Sequence, residues 1–299
     1  MMHKITNPIY AELKKLKLIS PKNIIKINNK TRDKKINVYK DKKTEIIFLG
    51  KLTTGNNYYS SFKYKKIEKI KVSNKKSQKY TKTSIVNDNL RRKKQFSNMF
   101  NNKDILDYGC GWGEFLRIIK KARSVNGVEL RKECLKYIKD NLKKIKISDD
   151  LKNFKINFDV ITLFHVLEHL PNQTSILKDL RAKLKSKGKI IIEVPHAKDF
   201  LILQDDLKEF KDFTFWREHL ILHTENSLRK ILQKAGYKNI CISYFQRYDF
   251  LNHLGWFLKR RPGHHKLFEN LFSKNLKELY SKDLIKKKLT DTLIAIAEK

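Results

Sequence analysis

The sequence predicts an α/β protein whose core is a parallel, doubly wound sheet. Three observations carry that reading. Short apolar runs recur along the middle of the chain with helical stretches of about ten residues between them. A glycine turn, Gly109-Cys110-Gly111-Trp112-Gly113, joins one such run to the next helix. Hydrophobic residues make up 40% of the 299, enough to bury a core of this kind.

Taken in order, residues 1–85 read as an N-terminal extension. Within it Lys35–Leu49 predicts two short strands around a Lys-Asp-Lys-Lys turn, and Gly55 opens a loop carrying Tyr58 and Tyr59. A helix over Val86–Phe100 carries Arg91 and Arg92. The core, residues 86–245, then alternates. Strand Asp104–Asp107 leads through the glycine turn to helix Glu114–Arg123, and strand Ser124–Glu129 leads to helix Lys132–Leu142. Strand Phe158–Leu163 leads to a helix from Val166. Helix Ser175–Leu184 is closed by Lys187-Gly188, and strand Lys189–Val194 is broken by Pro195. Thr224 opens helix Ser227–Ala235, Gly236 stops it, and strand Asn239–Tyr244 follows. Residues 246–299 form a C-terminal capping segment with a helix around Leu267–Leu279 and a last strand, Thr292–Ala297.

Composition narrows the function classes. No apolar run approaches the roughly 18 residues of a membrane-spanning helix. The lysine-rich start lacks the apolar centre of a signal peptide, so the expected location is the cytoplasm. Three cysteines at wide spacing, with no Cys-x-x-Cys, argue against a disulfide framework and a cysteine zinc site. The net charge of +36 points to an anionic partner. It is mostly lysine spread along the whole chain, without the arginine clusters and interleaved aromatics of a phosphate reader. An anionic small molecule or glycan precursor is the expected substrate; RNA, or a small lipid- or quinone-type molecule, is the rival reading.

The glycine turn separates two cofactor classes. Dinucleotide folds use Gly-x-Gly-x-x-Gly, with a helix N-terminus aimed at a pyrophosphate. Here the spacing is Gly-x-Gly-x-Gly, Glu114 opens the helix, and Asp107 ends the strand. These acids suit a cationic cofactor without phosphate, S-adenosylmethionine (AdoMet). Glu129, about twenty residues on, lies where a ribose-binding acid belongs.

Ile105–Gly113 (ILDYGCGWG), Gly127–Leu130 (GVEL), Phe158–Asn172 (FDVITLFHVLEHLPN) and Gly188–Pro195 (GKIIIEVP) resemble the successive motifs of class I AdoMet-dependent methyltransferases, over residues 100–245. The resemblance implies a Rossmann-like seven-stranded methyltransferase sheet with a reversed last strand. It implies that Asp107, Gly109, Gly111 and Gly113 wrap the methionine part and Glu129 binds the ribose. Asp149 or Asp150 with Leu151 would lie beside the adenine, and Phe164 and His165 beside the transferable methyl.

His165, Glu168 and His169 are spaced to share one face of a helix. The inverted zinc-protease motif His-x-x-Glu-His fails on context, because this segment follows a central strand of a nucleotide fold. A divalent-metal site is open: the segment resembles the Glu-x-x-Glu-His stretch of ubiquinone-pathway O-methyltransferases, with His165 in place of the first acid, and magnesium prefers oxygen ligands. A metal-free general base is also open, with His169 or His165 taking the proton of an acceptor hydroxyl. So is a purely structural Glu168-His169 contact.

Further on, Phe213–Leu220 and His223-Thr224 resemble the lead into the family's penultimate helix, which makes His219 and His223 candidates for substrate contact. The tail, with Tyr248, Asn252, His253 and Arg261-Pro262-Gly263-His264-His265, resembles that of a subset of these enzymes in bacterial sugar and surface-polysaccharide modification. Its aromatics, amides and histidines suit a sugar acceptor; a plain capping role is the alternative.

Overall fold

A computed structural model describes residues 5–53, 87–263 and 272–299. Tyr58, Tyr59, His264 and His265 lie outside the described residues. The chain divides into two compact units. One, the histidine unit, gathers Met1–Thr53, His165–Lys178 and Ile192–Ala297; the other, the glycine-turn unit, gathers Thr54–Phe164, Asp179–Ile191 and Glu298–Lys299.

The strands are β1 (Ile24–Asn28), β2 (Val38–Asp41), β3 (Ile47–Leu49), β4 (Asp104–Tyr108), β5 (Ser124–Val128), β6 (Ile145–Ser148), β7 (Phe158–Phe164), β8 (Leu184–Pro195), β9 (Ile221–Leu222), β10 (Lys238–Phe245) and β11 (Thr292–Glu298). Seven of them form one sheet in the order β10-β11-β8-β7-β4-β5-β6. β4 pairs in parallel with β5 and β7, and β5 with β6. The last strand is reversed: His196 N donates to Asp291 O at one end of the β8–β11 pairing, and Lys299 N donates to Gly188 O at the other. This is the seven-stranded, Rossmann-like methyltransferase arrangement that the motifs imply.

In the glycine-turn unit, register explains the placing of the turn's acid. Asp107 on β4 faces Gly127 on β5 and Thr162 on β7. Gly127 has a steric reason to be glycine, because a Cβ there would stand 2.6 Å from Cys110 Sγ. At the other end of β4, Arg123 and Lys185 both bind Asp104 and Asp159, at 2.6 to 2.9 Å.

In the histidine unit β1, β2, β3 and β9 form a second, four-stranded antiparallel sheet. Its apolar face, with Ile36, Val38, Ile47 and Leu49, packs on Leu201, Phe210, Phe215 and Trp256. Helix Glu225–Lys234 starts at the expected cap: Thr224 and Ser227 form a reciprocal capping box. Gly236 follows at φ +92°, as a helix stop requires. A remote acid caps helix Gln173–Ala182, since Glu12 accepts from Gln173 N and Thr174 N.

Several elements differ from the sequence expectation. The helix expected from Val166 is only a 3₁₀ turn, Leu167–His169. Glu114–Ile118 is only about one turn and a half, shorter than the expected Glu114–Arg123. Leu184 belongs to the long strand β8 rather than to the preceding helix. The expected C-terminal helix around Leu267–Leu279 lies partly outside the described residues; helix Lys274–Lys287 covers its later part and runs beyond it, and helix Phe250–Lys259 lies earlier in the chain. The expected helix Val86–Phe100 is interrupted, with helical stretches over residues 87–95 and Ser97–Phe100. Among the described residues no helix is long and apolar enough to cross a membrane.

Candidate active site

The glycine turn places its three glycines in the left-handed region, Gly109 at φ +78°, Gly111 at +58° and Gly113 at +73°. Their reasons differ. A Cβ on Gly111 would meet Arg131 Nη2 at 3.3 Å, whereas one on Gly113 would press on Ile138 and Leu142 at 3.2 Å. Gly113 is therefore already required by packing, as the N-cap of helix Glu114–Ile118.

Two buried carboxylates flank the turn. Glu129 accepts from Gly111 N at 2.9 Å through Oε2, and from Leu130 N and Arg131 N through Oε1; the Arg131 guanidinium adds two more bonds. Burial pushes its carboxyl up, but the bonds and charge of Arg131 with the backbone donors outweigh this, and Glu129 titrates below its usual range. Asp107 behaves in the opposite way. Burial raises its carboxyl to about 7, although Thr162 Oγ1 donates to it at 2.7 Å and Arg92 lies near.

These residues fit AdoMet. Two buried acids suit its ammonium and sulfonium, and the ribose hydroxyls suit Glu129. Glu114 stands in the first helical turn, where it would repel a pyrophosphate. Asp150 is exposed, and its side chain caps the short turn Leu151–Asn153 by accepting from Lys152 N. Phe164 packs edge-on against Phe115 and stacks on Phe96, with the Arg92 guanidinium 4.4 Å from its ring. Sequence reasoning missed Arg92 as a site residue: its helical spacing says nothing of its reach to Phe164 and Asp107.

In the histidine unit the chain bends sharply after β7. His165 takes φ +56°, and its N–H donates to Glu193 O at 2.9 Å. The turn that follows is pinned by Leu220 N donating to Glu168 O and by Gln173 Nε2 donating to Leu167 O. Glu168 is 0% exposed. Its Oε1 lies 3.4 Å from His165 Nδ1 and 3.9 Å from His169 Nε2. The His169 ring meets the His219 ring nearly edge-on, with centroids 4.9 Å apart. The expected grouping of His165, Glu168 and His169 is thus present, though built by a tight turn instead of a helix face, and His219 joins it from 50 residues away in sequence.

Burial, with His169 and Arg32 nearby, holds His219 well below the usual histidine range, so it stays neutral. Ligand atoms of Glu168, His169 and His219 all lie within 4.8 Å of one another, a spacing that can hold a metal ion. Two imidazoles and one carboxylate suit zinc or a similar ion better than magnesium.

His223 and His253 lie in the interior. His223 is 0% exposed, contacts Ser227 Oγ at 3.1 Å in the helix cap, and burial lowers it to about 3. His253 stacks on Phe200, contacts the Tyr280 hydroxyl at 2.7 Å and Gln246, and burial lowers it to about 4. Asn252 lies half-buried in the first turn of helix Phe250–Lys259, which Asp249 caps. Of the described tail candidates, Tyr248 is exposed, as are Arg261, Pro262 and Gly263.

Comparison with known proteins identifies the family. The family described as "Methyltransferase domain" matches residues 81–242, more than half of the chain. The chain is similar to the mitochondrial ubiquinone biosynthesis O-methyltransferase of Saccharomyces cerevisiae, 29% identical over 120 residues, covering 35% of this chain and 38% of that protein. It is likewise similar to the ubiquinone biosynthesis O-methyltransferase of Actinobacillus pleuropneumoniae, 30% identical over 108 residues, covering 31% and 46%. The chain thus spans less than half the length of these curated relatives. Among solved structures, it is similar to a SAM-dependent methyltransferase from Archaeoglobus fulgidus, 20% identical with a TM-score of 0.49, covering 71% of this chain and 92% of that one.

Proposed function

The chain belongs to the methyltransferase-domain family and carries an AdoMet-dependent methyltransferase domain, and we propose that it methylates a hydroxyl on a small anionic acceptor, a sugar, nucleotide-sugar or glycan precursor. The observation that carries the hydroxyl reading is the buried Glu168 carboxylate set beside His165 and His169.

When bound, AdoMet supplies a methyl carbon already activated by its sulfonium. The acceptor oxygen must then lose its proton as it attacks. His169 takes that proton. Glu168 orients the imidazole and stabilises the imidazolium that forms, since an ionised carboxylate beside a histidine favours its charged form. Asp107 and the backbone of Gly109 and Gly111 hold the methionine part, and Glu129 accepts from the ribose. Tyr248 is exposed on the tail as an acceptor contact.

The similarity to ubiquinone O-methyltransferases favours a second reading, a phenolic acceptor. Measuring S-adenosylhomocysteine release with panels of sugars, nucleotide-sugars and catechols separates the two. Release with sugars is expected. Release with catechols alone establishes the phenolic reading, and methylation of RNA in place of both overturns the small-molecule assignment.

A further inference from the structure

The connection between β1 and β2 brings one arginine to the histidine segment. Arg32 N donates to Phe215 O at 2.7 Å, and its Nε donates to the carbonyl of Phe213. Its guanidinium carbon lies 3.4 Å from the ring centroid of Phe213 and 3.9 Å from that of Trp216. The guanidinium is therefore held over two aromatic rings, a setting that favours arginine over lysine.

The nearest acid in sequence, Asp33, attracts Arg32 electrostatically but makes its ion pair with another arginine. Asp33 binds Arg217 Nε at 2.9 Å and accepts from the Thr31 hydroxyl. Among the described residues no carboxylate lies within ion-pair distance of Arg32, and no acceptor takes a bond from its two outer nitrogens. Burial lowers its pKa to about 10, so it remains a cation at neutral pH. Most cations of this basic chain sit on flexible lysine stems; this one is held against two rings on a residue that is exposed overall.

The surroundings connect Arg32 to the proposed chemistry. Trp216, on which it stacks, accepts a backbone bond from His219 N at 3.1 Å, and His219 contacts His169. Tyr248 lies close enough to interact electrostatically with Arg32. An immobilised guanidinium offers paired donors to an oxyanion, and with its rotamers already fixed little entropy is lost on binding.

We propose that Arg32 is the anion-binding residue of the acceptor site: its two outer nitrogens, with the fork stacked on Phe213 and Trp216, receive a phosphate- or carboxylate-type oxyanion carried by the acceptor. The acceptor's identity rests on the methyl-transfer reading; anion binding at Arg32 needs neither AdoMet nor turnover.

The test titrates inorganic phosphate, and separately acetate, into the full chain, followed by tryptophan fluorescence and calorimetry. The wild-type protein is expected to bind at least one of them. Arg32→Gln is expected to weaken that binding by about tenfold or more, the loss of a charge-assisted pair of hydrogen bonds. Arg32→Lys, which keeps the charge but not the flat fork, is expected to weaken it by a smaller factor. Tighter phosphate than acetate indicates a phosphorylated acceptor; the reverse indicates a carboxylated one. AdoMet affinity is expected to be the same in all three proteins, and loss of AdoMet binding by the wild type would count against the methyl-transfer reading without touching this one. Wild-type protein that binds neither anion, or variants that bind as tightly as wild type, overturns the proposal. If circular dichroism shows Arg32→Gln unfolded, the lysine variant decides.

Discussion

In the glycine-turn unit, the buried carboxylate of Glu129 is held by main-chain N–H groups of Gly111, Leu130 and Arg131, with one guanidinium in support. In the histidine unit the buried carboxylate of Glu168 has imidazoles beside it, one of which touches a third imidazole brought by a separate segment. The first region is built mostly from backbone, in the turns that follow β4 and β5. The second is built from side chains on 165–169 and 213–219, with 32 close by. A site made of backbone survives side-chain changes that leave the turn intact; a site made of side chains fails one residue at a time. Substitutions in the two regions should therefore separate cofactor binding from turnover.

The largest effect belongs to the histidine unit. His169→Ala is expected to lower turnover by about a hundredfold or more, the usual weight of a positioned general base. AdoMet affinity, measured by calorimetry, should stay at the wild-type value. Full activity in this variant removes His169 from the proton-transfer role.

Glu129→Ala comes next and acts in the other direction. It removes the acceptor proposed for the ribose and is expected to weaken AdoMet binding by about tenfold or more. Calorimetry with S-adenosylhomocysteine checks it. Unchanged affinity would separate Glu129 from the cofactor and break the comparison.

A smaller effect follows from the two acids' opposite titration. Asp107 is raised to about 7, chiefly by burial, so it is largely protonated at pH 6 and largely ionised at pH 8. The ionised form is the one that attracts the cofactor's ammonium, so AdoMet affinity should rise with pH across this window, by up to about tenfold per unit. Folding stability carries the opposite sign. A carboxyl whose folded pKa is raised contributes most below its unfolded pKa of about 4, and that contribution is lost as the pH climbs through 7. Asp107→Asn should flatten both profiles. Glu129, already ionised throughout this range, should not contribute to either.

What could be read from the sequence follows the same division. Asp107, the three glycines and Glu129 were legible because strand, turn and helix each leave a local period, and glycine marks positive φ. The short strand β6 was not, since Lys146 interrupts its isoleucines and only Ile145 is buried. The spacing of His165, Glu168 and His169 was read as a helix face, but a 3₁₀ turn after a left-handed residue also brings them together. Arg32 was invisible: its partner Phe213 is 181 residues away, and nothing in a lysine-rich extension distinguishes a stacked arginine from a solvated one. His253 shows the converse, since a tail rich in aromatics and amides reads as a sugar platform, while packing against Phe200 and Tyr280 turns that histidine inward.

The smallest expected effect is the most discriminating for the histidine unit. Glu168, His169 and His219 are close enough to share an ion, and an ion there would tie up the imidazole that the proposed mechanism needs as a base. A metal-free base predicts that prolonged dialysis against EDTA leaves turnover unchanged, and that added zinc inhibits by occupying the two imidazoles and the carboxylate. A metal-dependent site predicts the reverse, with loss of activity on chelation and recovery with zinc or manganese. His219→Ala sharpens the choice, because His219 is held neutral by burial and contacts His169 only edge-on. Under the metal-free mechanism this variant should keep a substantial part of its turnover and lose its zinc inhibition. Under the metal mechanism, losing one of three ligands should abolish activity and metal binding together.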